Sequence, residues 1–213
     1  TIKYPRSRSV MGCEFFYLPP RSTKDEGLVF LGGISMKIAI FIDGGYLDKV
    51  FKNEFSAYAD LSKISKEICQ GKETLRTYYY NCLPYQSNTP TPEENERFSK
   101  AQKFYSAIER LPRFQIRYGK LAYRNGEFEQ KKIDTLLSID LVSLAASGKI
   151  SDAVLVAGDS DFMPAVEVVK NYGVNVILYH SQKRDSYHNA LWQICDERYA
   201  IDINLVNKIK KNP

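Results

Sequence analysis

The chain has 213 residues, 44% of them hydrophobic, and a formal charge of +5 at neutral pH. That length fits one domain with an appendage, the composition is that of a soluble globular protein, and the small positive excess mildly favours an anionic partner such as nucleic acid. Four scattered cysteines with no CxxC pair and only two histidines argue against a zinc site. They predict free thiols in a reducing cytoplasm, and no apolar run is long enough to span a membrane.

Residues 1–35 follow no hydrophobic period and carry Pro5, Pro19, Pro20 and scattered arginines. They read as an N-terminal extension ahead of a domain beginning at Met36. A second reading, in which 15–18 and 28–31 dock as extra strands, stays open. Lys37–Ile42 (KIAIFI) is a continuous apolar run, so it predicts a strand buried on both faces. Asp43-Gly44-Gly45 follows at its carboxyl end, and a helix starts near Tyr46. Leu61–Cys69 has helical amphipathicity, and Thr74–Cys82 is an aromatic-rich strand. A Pro/Ser/Thr loop leads to a helix over Glu93–Arg110.

Phe114–Tyr118 reads as a strand accompanied by Arg113 and Arg117. Asn125-Gly126 predicts a hairpin between Lys120–Tyr123 and Glu127–Glu129. Lys131 and Lys132 precede a helix from Ile133-Asp134 to Ala146, stopped by Gly148. Ala153–Ala157 is a second buried strand, punctuated by Gly158. After Asp159-Ser160-Asp161, Pro164 suits the first turn of a helix that ends before Gly173. Val174–Tyr179 is the next strand. A short helix at Asn189–Ile194, an edge strand at Tyr199–Ile203 and a frayed basic tail over 205–213 complete the chain.

Two units share one layout: strand, Asp beside Gly, helix. Parallel strands with right-handed crossovers bring such carboxyl ends to one edge, where open α/β sheets bind ligands. Each Asp has a structural alternative as a helix cap. A shared site explains better why Asp159 and Asp161 stand two residues apart, since like charges repel. Asp134 opens a helix, and Asp140, six residues on, points away from it if both are helical.

Phe41-Ile-Asp-Gly-Gly-Tyr-Leu47, Lys131-Lys-Ile-Asp134 with Asp140 behind it, and Ala157-Gly-Asp-Ser-Asp-Phe162 together resemble the three motifs of NYN domains of the LabA-like kind, within the PIN-like superfamily. The resemblance covers about 36–204. It implies an α/β PIN-like three-layer sandwich with a central, mainly parallel twisted sheet flanked by helices. It also implies a metal-dependent ribonuclease site in which Asp43, Asp134, Asp159 and Asp161 are the acidic cluster, catalytic and metal-binding, with Asp140 as a further candidate metal ligand.

Carboxylates without neighbouring His or Cys suit Mg²⁺ or Mn²⁺. Single-stranded RNA is the expected partner, and a homodimer is left open. Ser160, Lys131, Lys132, Arg113, Arg117, Arg184 and Tyr46 are the residues expected to meet the nucleic acid. The family often has Asn where this chain has Tyr46, so an RNA- or nucleotide-binding regulatory module with weak or no catalysis is the second reading. Gly158-Asp159 also resembles the last motif of haloacid-dehalogenase-type phosphatases. Those need an acid two residues after the first-strand Asp, and Gly45 stands there.

Overall fold

A computed structural model describes residues 37–124 and 127–211, without the side chains of 120–131. Seven strands form one sheet: β1 (Ile38–Asp43), β2 (Thr74–Cys82), β3 (Phe114–Arg124), β4 (Glu127–Lys131), β5 (Asp152–Val156), β6 (Asn175–Ser181) and β7 (Glu197–Ile201). Their spatial order is β4-β3-β2-β1-β5-β6-β7. All neighbours are parallel except β3 and β4. The helices are α1 (Gly44–Phe55), α2 (Leu61–Ile68), α3 (Pro92–Glu109), α4 (Ile133–Ala146), α5 (Met163–Asn171), α6 (Asn189–Ile194) and α7 (Ile203–Ile209).

The order explains the layers. From β1 the chain steps outward through β2 to β3, then returns to β5 and steps the other way through β6 to β7. Right-handed crossovers in opposite directions place their helices on opposite faces. One face accordingly packs α1, α2, α3 and α7, and the other packs α4, α5 and α6. This is the three-layer, PIN-like sandwich the sequence predicts. The direction reverses between the paired strands β1 and β5, where the connections after them leave to opposite layers and a crevice opens at their carboxyl ends.

β1 is sealed between two cores, which is why its sequence is an unbroken apolar run. Ile38, Ile40 and Ile42 enter one core with Leu47, Phe51 and Ile64. Ala39 and Phe41 enter the other with Leu137, Leu141 and Val166. Phe41 stacks on Tyr78, with ring centroids 5.3 Å apart. Tyr78 and Tyr80 belong to one core and Tyr79 to the other, the alternation expected of packing aromatics.

Three expectations change. The strand read as ending at Tyr118 continues to Arg124. A Cβ at Gly119 would lie 2.6 Å from Ile133 Cδ1, so this glycine admits a neighbour rather than breaking the strand. The turn at Asn125-Gly126 lies outside the described residues, as do residues 1–36. The last strand begins earlier, at Glu197, and ends at Ile201.

The frayed basic tail is instead structured through Lys211. Asp202 caps α7, Val206 and Ile209 are buried, Ala59 bridges Lys210, and the Lys211 N–H donates to Tyr58 O at 2.8 Å. Among the described residues, no helix is long and apolar enough to cross a membrane. Their cysteines, Cys69, Cys82 and Cys195, are free thiols.

Candidate active site

The carboxyl edge of β1 and β5 gathers the acids. Asp43 ends β1, and its Oδ1 accepts the Tyr46 N–H at 3.1 Å. Asp159 follows β5, and its Oδ1 accepts the Asp161 N–H at 3.0 Å, capping the single 3₁₀ turn Ser160–Phe162. The capping role is therefore real. Both residues nevertheless line the crevice. Asp134 sits in the first turn of α4, behind Lys132, whose left-handed backbone (φ 75°) begins the helix without a side-chain cap.

These groups feel one another. Burial pushes the Asp43 carboxyl up to about 6; the Tyr46 N–H opposes the rise, Asp134 adds to it, the Gly45 N–H opposes it and Asp159 adds again. Asp134 is also raised, first by burial, then by Asp159 and Asp161. Asp43, Asp134, Asp159 and Asp161 thus share one local field, and no cation is among its causes.

Other expected site residues stand elsewhere. Asp140, expected as a further candidate metal ligand, is held by Arg117. The guanidinium Nε and Nη2 donate to it at 2.7 and 3.1 Å, and Tyr80 Oη donates at 3.0 Å. Arg117, also 5.7 Å from the Tyr78 ring centroid, is accordingly committed to this pair rather than free to follow a phosphate backbone. Arg113 precedes β3 and so lies at the amino edge of the sheet, opposite the acids. It donates to Glu73 at 3.1 Å and to Thr74 O. Lys132 is exposed two residues from Asp134. Lys131 ends β4, and its side chain lies outside the described residues. Arg184 rides over the Tyr187 ring, 5.1 Å from its centroid, in the turn after β6.

A cleft of about 540 Å³ opens beside the acids. Asp43, Tyr46, Lys49, Asp159, Ser160 and the turn 185–188 line it. Tyr46 is a structural wall. Its Oη accepts the Ser181 N–H at 2.9 Å, which ties α1 to the end of β6. Burial pushes its phenol up to about 12, so it stays neutral. Beneath it, His180 Nε2 accepts from Trp192 Nε1–H at 3.2 Å; its Nδ1 therefore carries the proton and donates to Ser181 O at 2.7 Å.

Lys49 and Tyr187 have no local sequence signal. Lys49 is one turn beyond Tyr46 on α1, so only helical spacing points to it. His188 joins the cleft as a cap: its Nδ1 accepts the Ala190 N–H at 3.3 Å and its backbone N–H donates to Gly158 O at 2.8 Å.

Gly158 is required by contact. A Cβ there would fall 2.3 Å from the Tyr46 ring and 2.8 Å from Ser186 O. Gly158→Ala should cost about 1–3 kcal/mol, read as a lower thermal midpoint. Tyr46→Ala placed in the same chain should recover part of that loss, because it removes the closer of the two clashes. A non-additive double mutant is the expected signature, and strict additivity would contradict the contact.

The acids offer oxygen donors, repel one another and have no bound counter-charge, which is the chemistry of a site for a hard divalent ion. Among the described residues, no three His, Cys, Asp or Glu side chains stand close enough to grip an ion together. Mg²⁺ is commonly held by one or two carboxylates, with water and substrate oxygens completing its shell. The residues present fit that mode.

The model of the NYN domain family matches residues 37–204. NYN domains lie within the PIN-like nuclease superfamily, whose members typically use divalent metals. The uncharacterized protein y4oD of Sinorhizobium fredii (strain NBRC 101917 / NGR234) is 42% identical over 59 residues, 28% of this chain and 28% of its own length. The chain thus matches little more than a quarter of that curated relative. A crystal structure of VPA0982, a protein of unknown function from Vibrio parahaemolyticus RIMD 2210633, superposes with a TM-score of 0.63 at 20% identity. It covers 84% of this chain and 98% of its own, a likeness of fold.

Proposed function

This chain belongs to the NYN domain family, and from that premise we propose that it is a metal-dependent endoribonuclease acting on single-stranded RNA. The observation that carries the reading is the shared field of Asp43, Asp134, Asp159 and Asp161 at the switch point of the sheet, raised by burial and by the acids themselves. One or two of Asp43, Asp134, Asp159 and Asp161 would hold the ion directly, and the others would act through its water shell. When bound there, Mg²⁺ or Mn²⁺ supplies positive charge against the phosphodiester and acidifies water.

The chain's own residues do the rest. Backbone N–H groups orient the carboxylates of Asp43 and Asp159 at the crevice. The Ser160 hydroxyl, in the cleft wall, donates to a phosphate oxygen. Lys49 is exposed and, among the described residues, has no ion-pair partner; it neutralises the phosphate next to the scissile one. Tyr46 holds the far wall fixed. That role needs no carboxamide, so Tyr at this position is compatible with catalysis.

The test is cleavage of end-labelled single-stranded RNA by the full chain with Mn²⁺, beside the same reaction in EDTA and beside hydrolysis of a generic phosphate monoester. RNA cleavage that depends on Mn²⁺ is expected. Ester hydrolysis without RNA cleavage would point to the phosphatase chemistry, and RNA binding without cleavage to a regulatory module. Lys49→Ala should weaken RNA binding about 3–10-fold, as expected for losing one phosphate contact, and reduce the salt slope of log affinity by about 0.7. Lys49→Arg should retain both. An unchanged slope in Lys49→Ala would remove Lys49 from the phosphate path.

A further inference from the structure

We propose that the groove between α3 and β3 is a second binding site for the same single-stranded RNA, holding the strand after it leaves the acidic edge. The inference rests on RNA being the substrate. The groove, of about 750 Å³, is larger than the cleft beside the acids, and Leu83, Ser99, Lys103, Ser106, Arg110 and Tyr118 line it. Nothing in the catalytic reading uses it.

The spacing of the α3 residues is informative. Ser99, Lys103, Ser106 and Arg110 recur every three or four positions, so they make one exposed stripe along the helix. The stripe spans about 16 Å at 1.5 Å per residue. The helix satisfies another of its cations locally, since Lys100 pairs with Glu96 at 2.6 Å. Lys103 and Arg110 form no ion pair among the described residues. One carboxylate stands beside the groove: Glu109 accepts from Tyr118 Oη at 3.0 Å.

Across from the stripe stands Tyr118, 41% exposed. Its ring meets Tyr105 edge to face, with centroids 5.5 Å apart, and Tyr105 is itself anchored by its Oη donating to Cys82 O at 3.0 Å. Tyr118 is therefore a supported aromatic rather than a loose one. A cationic stripe facing a fixed, exposed aromatic is the combination that binds single strands with little sequence preference, through phosphate contacts and stacking.

The groove connects to the acids through β2. Asp43 lies beside Tyr80 in the β1–β2 register. Leu83, at the mouth of the groove, is three residues further along, about 10 Å past that point. A strand crossing the acidic edge thus meets Leu83 next, and then Tyr118 and the stripe of α3.

The experiment measures fluorescence anisotropy of labelled oligouridine in EDTA, where cleavage plays no part, with lengths of about 4 and about 16 nucleotides. Wild-type chain is compared with Lys103→Gln/Arg110→Gln and with Lys103→Arg/Arg110→Lys. All substituted side chains are exposed, and thermal melts confirm that the variants fold.

The expected result is a longer oligomer that binds at least about 10-fold tighter than the short one to wild type, with most of that gain lost in the Gln pair. The salt slope for the longer oligomer should fall by about 1.4 in the Gln pair, the value for two single-strand phosphate contacts. The short oligomer should bind all three proteins alike, and the charge-preserving pair should behave as wild type. If the Gln pair keeps the full length dependence and slope, the groove is overturned while the RNA reading stands. If neither oligomer binds wild type at low salt, the RNA reading fails and the groove falls with it.

Discussion

Asp43→Asn should be more stable than the wild type at pH 7 without metal and should cleave RNA at least about 10²-fold more slowly. The rate loss is the scale of removing one key electrostatic contact to the reacting group. The stability gain follows from the raised Asp43 carboxyl, about 6 in the folded protein against 3.8 as its ordinary value. Folding favours its protonated form. The stabilisation is therefore complete below about pH 4 and is lost as pH rises through 6, because the native state binds more protons than the unfolded one across that window. The difference is at most about 3 kcal/mol, and solvent at this half-buried group reduces it to about 1–3 kcal/mol.

Asn keeps an oxygen for the Tyr46 N–H, so the cap on α1 survives. At pH 7 the mutant should melt about 3–10 °C higher, and near pH 4 the two proteins should converge. RNA binding in EDTA should persist. A mutant that cleaves at the wild-type rate, or one that is less stable at every pH, would remove Asp43 from the proposed role.

Mn²⁺ should raise the melting temperature of the wild type and leave Asp159→Asn nearly unmoved. An ion bound only by the folded state stabilises by mass action, about 2.7 kcal/mol at one hundred times its dissociation constant. For a chain of this size that is a shift of about 5–10 °C. In metal-free buffer, Asp159→Asn should be no less stable than wild type, because a negative charge beside Asp43 and Asp134 has gone and Asn still accepts the Asp161 N–H. Differential scanning in Mn²⁺ and in EDTA reads both effects. Equal Mn²⁺ shifts in the two proteins would leave the acids as separate helix caps.

Much of this arrangement is legible in the sequence, for identifiable reasons. β1 and β5 are sealed between layers, so their runs are continuous and end at Asp43 and Gly158. Direction also follows: a residue just after a parallel strand lies at the carboxyl edge, which is how Asp43 and Asp159 come to share a crevice. The same rule places Arg113, just before β3, at the opposite edge, and the expectation that it flanks the site neglected this.

Asp140 is harder. Its partners, Arg117 and Tyr80, are 23 and 60 residues away, and only the stacking of β2, β3 and α4 unites them. α7 is seven residues long with two Asn and one Lys, and the segment after it is tied to Ala59 and Tyr58, which nothing local announces. Lys49 and the turn at 185–188 become neighbours only when Tyr46 spans from α1 to β6.

The sealed position of β1 has a dynamic consequence. Peripheral segments of a sheet open locally at small cost, whereas a strand buried on both faces opens only with the whole domain. The mutually repelling acids hang from β1 and β5, the two strands with the least freedom to part. Local caps orient Asp43 and Asp159, but what keeps the two strand ends together is the cooperative unit as a whole. The ends of β1 and β5 are therefore held at their spacing by global folding, and an ion that neutralises Asp43 and Asp159 meets two strands that part only when the domain unfolds.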